Sequence, residues 1–351
     1  MSAAATAAPQ AVIQAVPGTV VVLGAGSIGA YVGGALQAAG VPVVLVGRAR
    51  MAERIARHGL RLSDLAGRQT HLPAEAVRYT QDPAALAQAV LVLVAVKSGD
   101  TDTAAATVAR HAPAGAVVLS LQNGIGHAER LRAALPGRTV LAGMVPFNVV
   151  QTPDGRLHRG TFGELMVEAH PAWAAWHAGF AAAHLPLQER PDMPAVQWGK
   201  LLLNLNNPVN ALSGQPLQRQ LSQRAYRRVL AAAVDEALAA LRAHGITPAA
   251  VGAVAPRWLP TLLRLPDALF RRVAARMLRM DPEARSSMWE DLQAGRLTEV
   301  EALNGAVVRL AAQAGREAPV NARLCALVHA AESGGPRDFS GPALWQAVRP
   351  G

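Results

Sequence analysis

Between Gly18 and Arg50 the chain reads GTVVVLGAGSIGAYVGGALQAAGVPVVLVGRAR, and this stretch restricts the fold more than any other. Thr19–Leu23 is a short, mostly β-branched run bounded by glycines, as expected of a strand buried in a parallel sheet. The pattern Gly24-Ala25-Gly26-Ser27-Ile28-Gly29 comes next, then a helical segment to Ala39 and a second strand at Val41–Val46. Each glycine has its own physical reason. The chain turns tightly at Gly24, a pyrophosphate can approach the backbone at Gly26, and the helix can pack close to the strand at Gly29. Glycines embedded in strand–turn–helix–strand predict a dinucleotide site, with Gly24, Gly26, Ser27, Ile28 and Gly29 around the pyrophosphate. The free N–H groups and dipole of the helix N-terminus favour its negative charge.

The nucleotide preference is read at the end of the second strand. An acidic residue there would bind a ribose 2′-hydroxyl, but the sequence has Gly47-Arg48-Ala49-Arg50. An arginine able to fork onto a phosphate predicts NADP, with Arg48 as a contact. Two more buried strands follow, one ending at Lys97 and the other at Gln122-Asn123-Gly124. Ligands of open parallel sheets bind beyond the carboxyl ends of strands, so both termini point toward the glycine loop. Asn123-Gly124 by itself reads equally as a turn or as part of a site.

Composition narrows the classes. The chain has 351 residues, 51% of them hydrophobic and 17% charged, enough for substantial cores and a prior of two domains. A single cysteine, Cys325, excludes an intrachain disulfide and a cysteine metal cluster, and no metal site is expected. The formal net charge of +10 raises a nucleic-acid partner, but the arginines are scattered and aromatics make up only 4%. A small anionic cofactor accounts for the basic residues better. Residues 1–17 lack a basic n-region and no run of 18 apolar residues occurs, so neither a signal peptide nor a membrane partner is expected. The expected location is the cytoplasm.

Beyond Pro194 the spacing predicts helices, among them Ser222–Ala243 and a basic, amphipathic segment over Arg257–Met280, whose internal Pro260 and Pro266 favour ordinary packed helices over a membrane-surface or partner helix. WGKLLLNLNNPVNAL, Trp198–Leu212, is the most unusual stretch. Only two of the 34 basic residues are lysines, Lys97 and Lys200, and four of the eight asparagines fall between Asn204 and Asn210. On one helix, Lys200, Asn204 and Asn207 form a single stripe. The leucines at 201, 202, 203 and 205 are expected to cover the other directions, and Pro208 to kink the helix. A second cluster, Ser286, Ser287, Asp291 and Glu299, spans a break expected at Gly295. Spacing alone does not bring it together.

GAGSIG, VKSGDT, LQNGIG, WGKLLLN and SSMWEDLQAGRLTEVEALNG, with APVNARL after them, resemble the ketopantoate reductase family, 2-dehydropantoate 2-reductases, from about Val20 to about Val328. The resemblance implies an α/β N-terminal Rossmann-like dinucleotide-binding domain followed by an all-α C-terminal domain like that of 6-phosphogluconate dehydrogenase. The expected boundaries are a flexible leader at 1–17, the NADP-binding domain at 18–190, the helical substrate domain at 191–332 and a C-terminal tail at 333–351. It implies NADPH-dependent reduction of 2-dehydropantoate, with Lys200 as general acid and Glu299 as active-site carboxylate that also borders the cofactor. Asn123, Asn204, Asn207 and Ser287 fall on substrate positions, and Lys97, Arg48 and Asn123 on NADP contacts. Asn207-Pro208 stands one residue earlier than the family's asparagine–proline pair. Another branched 2-oxo acid, or a dinucleotide sensor without turnover, is the alternative. A homodimer is the expected assembly.

Overall fold

The computed structural model describes residues 16–152, 154–252, 254–275 and 282–349. They divide into two compact units: one runs to Gln122 and resumes over Gly126–Met193, and the other comprises Asn123–Ile125 and the chain from Pro194 on. Residues 1–15 of the expected leader lie outside the described residues, whereas Val16 packs against the first unit's core.

The first unit begins with β1 (Thr19–Leu23), α1 (Ser27–Ala38), β2 (Val43–Val46), α2 (Ala49–His58), β3 (Leu60–Asp64), β4 (Gln69–Leu72), β5 (Tyr79–Thr80) and β6 (Ala89–Val94). It continues through α3 (Thr101–His111), β7 (Val117–Ser120), α4 (His127–Ala134), β8 (Val140–Met144), β9 (Val149–Gln151), β10 (Leu157–Arg159), β11 (Leu165–Glu168), α5 (His177–Ala182) and β12 (Leu187–Arg190). The main sheet has the order β12-β11-β8-β7-β6-β1-β2-β5, and β4-β3-β10-β9 form a second sheet. Strands β8, β7, β6, β1, β2 and β5 run parallel, and β11 pairs antiparallel with β8.

Successive strand residues point to opposite faces, and a helix-covered parallel sheet buries both. Val20 and Val22 of β1 therefore join a core with Ala30, Val32 and Leu36 of α1, whereas Val21 and Leu23 join one with Ala104 and Val108 of α3. Strand β6 divides the same way, Leu91 and Leu93 on one face and Val92 and Val94 on the other. The chain crosses from one side of β1 to the other between β2 and β6, the switch point where ligands of such sheets bind.

The chain enters the second unit along α6 (Met193–Asn204), followed by α7 (Asn206–Ser213), α8 (Leu217–Leu221), α9 (Arg224–Ala243), α10 (Leu259–Leu263), α11 (Asp267–Val273), α12 (Ser287–Gln293), α13 (Val300–Gln313), α14 (Pro319–Glu332) and α15 (Gly341–Val348). Helix α9 is its axis: Tyr226, Val229, Leu230, Ala233, Val234, Ala237 and Leu241 are buried, at helical spacing. Arg227, on the same helix, is wholly buried. It donates to the carbonyls of Leu221, Leu263 and Leu265 at 2.8, 3.0 and 2.7 Å and pairs with Asp267 at 2.9 Å. Cys325 is a buried thiol of this core.

Two expectations change, and one agrees with the structure. The prolines inside Arg257–Met280 divide it into packed helices, Pro260 starting α10 and Pro266 capping α11; residues 276–280 of that segment lie outside the described residues. Proline lacks a backbone donor, which the first turn of a helix does not need. The expected tail contains α15, capped by Ser340, with Leu344 and Val348 buried in the second unit's core. An apolar period of four residues outweighs the Gly/Pro loop before it. The single stripe-bearing helix is two helices, α6 and α7, separated at Leu205. Pro208 offers no N–H to the Asn204 carbonyl, so the first helix stops there.

Candidate functional site

Backbone geometry explains the glycine turn. Gly24 has φ +100°, and a Cβ there would meet the Val96 nitrogen at 2.6 Å and the Ala95 carbonyl carbon at 2.7 Å. A side chain at Gly29 would collide with the Gly24 carbonyl oxygen and meet Val22 at 3.0 Å. A Cβ at Gly26 would meet no atom within 4 Å, so the backbone there is open to an approaching group. Gly26 is exposed, Ser27 and Ile28 are half-buried, and no acidic residue stands in the first turn of α1. An open backbone, a helix N-terminus and no competing carboxylate in that turn fit a pyrophosphate.

The neighbouring strand ends converge on this turn. After β2, Gly47 leaves room for Tyr79, whose hydroxyl donates to the Arg48 carbonyl at 2.8 Å. The Arg48 guanidinium is exposed and pairs with Asp100 at 2.9 Å, joining the loops that follow β2 and β6. Lys97 is exposed at the end of β6, before the short turn Ser98–Asp100. The loops after β6 and β7 share a buried network, in which Gln122 Nε2 donates to Thr101 Oγ1 at 2.9 Å and Thr101 Oγ1 donates to the Ser98 carbonyl at 2.8 Å. His127 Nδ1 lies 3.0 Å from the same hydroxyl. VKSGDT and LQNGIG therefore hold one another. Asp100 and Tyr79 escaped the sequence reading, because an acid and a tyrosine in surface loops carry no periodic signal.

In the second unit, WGK has three separate reasons. Trp198 is buried in the helical core, and a side chain at Gly199 would strike the Ala249 carbonyl oxygen. Lys200 is half-buried, as are Asn204 and Asn207. Leu203 is 42% exposed and falls between them, correcting the expectation that it covers another direction. Residues 200, 203, 204 and 207 are the less buried face of α6 and α7, whereas Leu201, Leu202, Leu205, Asn206, Val209 and Asn210 are buried. Burial pushes the Lys200 ammonium down to about 8, and the Glu299 carboxylate opposes that shift. Lys200 and Glu299 thus sense one another although they lie 99 positions apart in the sequence.

The asparagine knot divides by role. Asn206 and Gln220 exchange two amide hydrogen bonds, each 3.1 Å, while Asn210 donates to the Gln215 carbonyl and accepts from the Ser286 nitrogen, both at 2.9 Å. Asn206 thereby holds α7 to α8, and Asn210 holds it to the turn before α8 and to the cap of α12. Sequence reading missed both, since burial within a helix depends on what packs against it. Ser286 caps α12, and Ser287 is exposed on its first turn. Asp291 is buried and binds Arg296 at 2.9 Å, which closes the turn around Gly295. Glu299 is the N-terminal cap residue of α13. Asn123 is half-buried in the turn Asn123–Ile125, which groups with this second unit. Among the described residues, no group of three or more His, Cys, Asp or Glu side chains stands together as a metal site, and no helix is long and apolar enough to cross a membrane.

These features define a Rossmann-like dinucleotide-binding α/β unit followed by an all-α unit that presents a lysine and a carboxylate. The family model "Ketopantoate reductase PanE/ApbA" matches residues 20–172, and its C-terminal counterpart matches residues 192–332. The chain belongs to the PanE/ApbA ketopantoate reductase family, a family of oxidoreductases. It is 33% identical over 325 residues to the 2-dehydropantoate 2-reductase of Halobacterium salinarum, covering 90% of this chain and 99% of that one. A crystal structure of a PanE/ApbA family ketopantoate reductase from Ralstonia eutropha JMP134 is similar with a TM-score of 0.76 and 32% identity, covering 90% of this chain and 99% of that one. A D-mandelate dehydrogenase solved with NADH and anilino(oxo)acetate shares the fold, with a TM-score of 0.70 and 20% identity over 90% of this chain and 99% of that one.

Proposed function

We propose that this protein reduces 2-dehydropantoate to (R)-pantoate with NADPH as the reductant. The observation that carries the proposal is the lysine on the half-open face of α6, its ammonium lowered to about 8 by burial and facing the influence of Glu299. Arginine holds its proton too tightly to donate it; a lysine in this range can. When bound, NADPH supplies the hydride. Lys200 then stabilises the negative charge growing on the ketone oxygen and delivers the proton. Glu299 orients the ammonium and the substrate hydroxyl, and also borders the cofactor. Ser287 receives the substrate carboxylate, and Asn123, Asn204 and Asn207 fix its orientation. In the first unit, Gly24, Gly26, Ser27, Ile28 and Gly29 hold the pyrophosphate, while Arg48 and Lys97 bind the 2′-phosphate that distinguishes NADPH.

The test is the loss of nicotinamide absorbance with purified protein, NADPH and 2-dehydropantoate, beside NADH and a panel of 2-oxo acids. Rapid turnover confined to NADPH and 2-dehydropantoate is the expected result. NADPH binding without turnover of any 2-oxo acid would overturn the reading. A second reading, reduction of another branched 2-oxo acid, draws support from Leu203. Its exposed side chain adds apolar surface to the stripe on which Asn207 stands one residue early. The proposal includes a homodimer, which light scattering checks as a mass about twice 36.6 kDa.

A further inference from the structure

Three hydrogen-bonded side chains, Glu332, His329 and Glu301, flank Glu299 and have no part in the reading above. Glu332, the last residue of α14, has a side chain only 9% exposed. Its Oε1 accepts from the Thr298 nitrogen at 2.7 Å, and its Oε2 lies 2.8 Å from His329 Nδ1. The other ring nitrogen, Nε2, lies 2.9 Å from Glu301 Oε1, and Glu301 in turn meets Arg309 at 3.3 Å. A histidine facing carboxylates through both nitrogens donates to both only as the imidazolium. One clamp at the end of α14 thus holds the residue before Glu299 and the residue two after it.

The backbone between those points has little freedom left. The Val300 nitrogen donates to Thr298 Oγ1 at 3.3 Å, and the Ala302 and Leu303 nitrogens donate to the Glu299 carbonyl at 3.0 and 3.2 Å. Glu299 sits in the cap position at φ −99° and ψ 24°, outside the helix proper, where neighbouring helical bonds alone do not set its direction.

We propose that Glu332, braced by His329, is a positioning residue that aims the Glu299 carboxylate at Lys200. The inference rests on the reading of Lys200 and Glu299 as the working pair. Glu332 acts through reach, by accepting the Thr298 N–H, and not through its charge. Burial pushes its carboxyl up, but hydrogen bonds from His329 and Thr298 outweigh burial and hold it below the usual range, so it is an anion at neutral pH.

Because the chain has only two lysines, lysine labelled with 13C at Cε gives two side-chain signals, and Lys97→Arg assigns them. The pH titration of the Lys200 signal then reports directly how Glu299 is aimed, without any turnover. Glu299→Gln is the reference and lowers the Lys200 midpoint. Glu332→Asp keeps the charge but loses the reach, and it lowers the midpoint in the same sense. Glu332→Gln keeps the reach without the charge, and it titrates as wild type does. Turnover follows the same order, with kcat falling roughly 10- to 100-fold in Glu332→Asp at an unchanged KM for the cofactor, and recovering in Glu332→Gln. A lowered midpoint in Glu332→Gln with none in Glu332→Asp would make the effect electrostatic and overturn the proposal. Flat titrations in both, with Glu299→Gln lowered, would overturn it alone. A flat titration in Glu299→Gln would instead remove the Lys200–Glu299 pair itself, and the proposal with it.

Discussion

Replacing Lys200 by arginine keeps a cation on α6 but removes a proton that can be released near neutrality. Lys200→Arg is expected to lose at least about 100-fold in kcat, the lower range for a missing general acid, while NADPH still binds in a fluorescence titration. On the proposed reading the acid is the protonated lysine, whose pKa is lowered to about 8. The rate of reduction should therefore hold below pH 8 and fall above it, and a rate that continued to rise beyond pH 9 would argue against this acid. At the nucleotide end, Arg48 is paired with Asp100 across an exposed surface, where such pairs contribute little to stability. Arg48→Ala should weaken NADPH about 10-fold, equivalent to about 1.4 kcal/mol, and leave NADH nearly unchanged. Asp100→Asn should do the reverse, tightening NADPH by freeing the guanidinium. Equal effects on both nucleotides would remove Arg48 from the phosphate site. The rarity of lysine makes Lys200 visible in the sequence; nothing comparable marks Asp100, whose relevance depends on a loop 52 positions away folding back to Arg48.

At the scale of elements, buried amides hold α7 in place. Gln220 is wholly buried, and its amide is satisfied on both sides by Asn206. Asn206→Ala leaves two buried polar atoms without those partners and should cost about 1–3 kcal/mol, read as a lower midpoint in urea. The double replacement Asn206→Leu with Gln220→Leu should recover part of that loss, because neither amide is then left unsatisfied. The break at Gly295 was legible, because a left-handed glycine between α12 and α13 is a local signal. Proline was a further local signal: Pro260 and Pro266 favour separate packed helices over one long segment, and each begins a short helix, since the residue's missing donor is harmless only at a start. The clamp from Glu332 to Thr298 had no local sign at all.

For the molecule as a whole, each unit has its own apolar interior. Helix α15 belongs to the second. Its Leu344 and Val348 are fully buried, so truncation after Ser340 should destabilise the protein by about 3–6 kcal/mol, at about 1.5–3 kcal/mol per side chain. Differential scanning calorimetry checks this, and an unchanged unfolding profile would return those residues to the status of a tail. The glycine turn between two buried strands, the helical second half and the family resemblance were all readable in sequence order. Each rests on periodicity or on backbone freedom within a few neighbouring residues. Which of four crowded asparagines face outward, which serine caps and which is exposed, and what holds Glu299 were decided only by tertiary structure. Burial and hydrogen-bond partnership come from segments up to about a hundred residues away, and no local pattern encodes which of them will arrive.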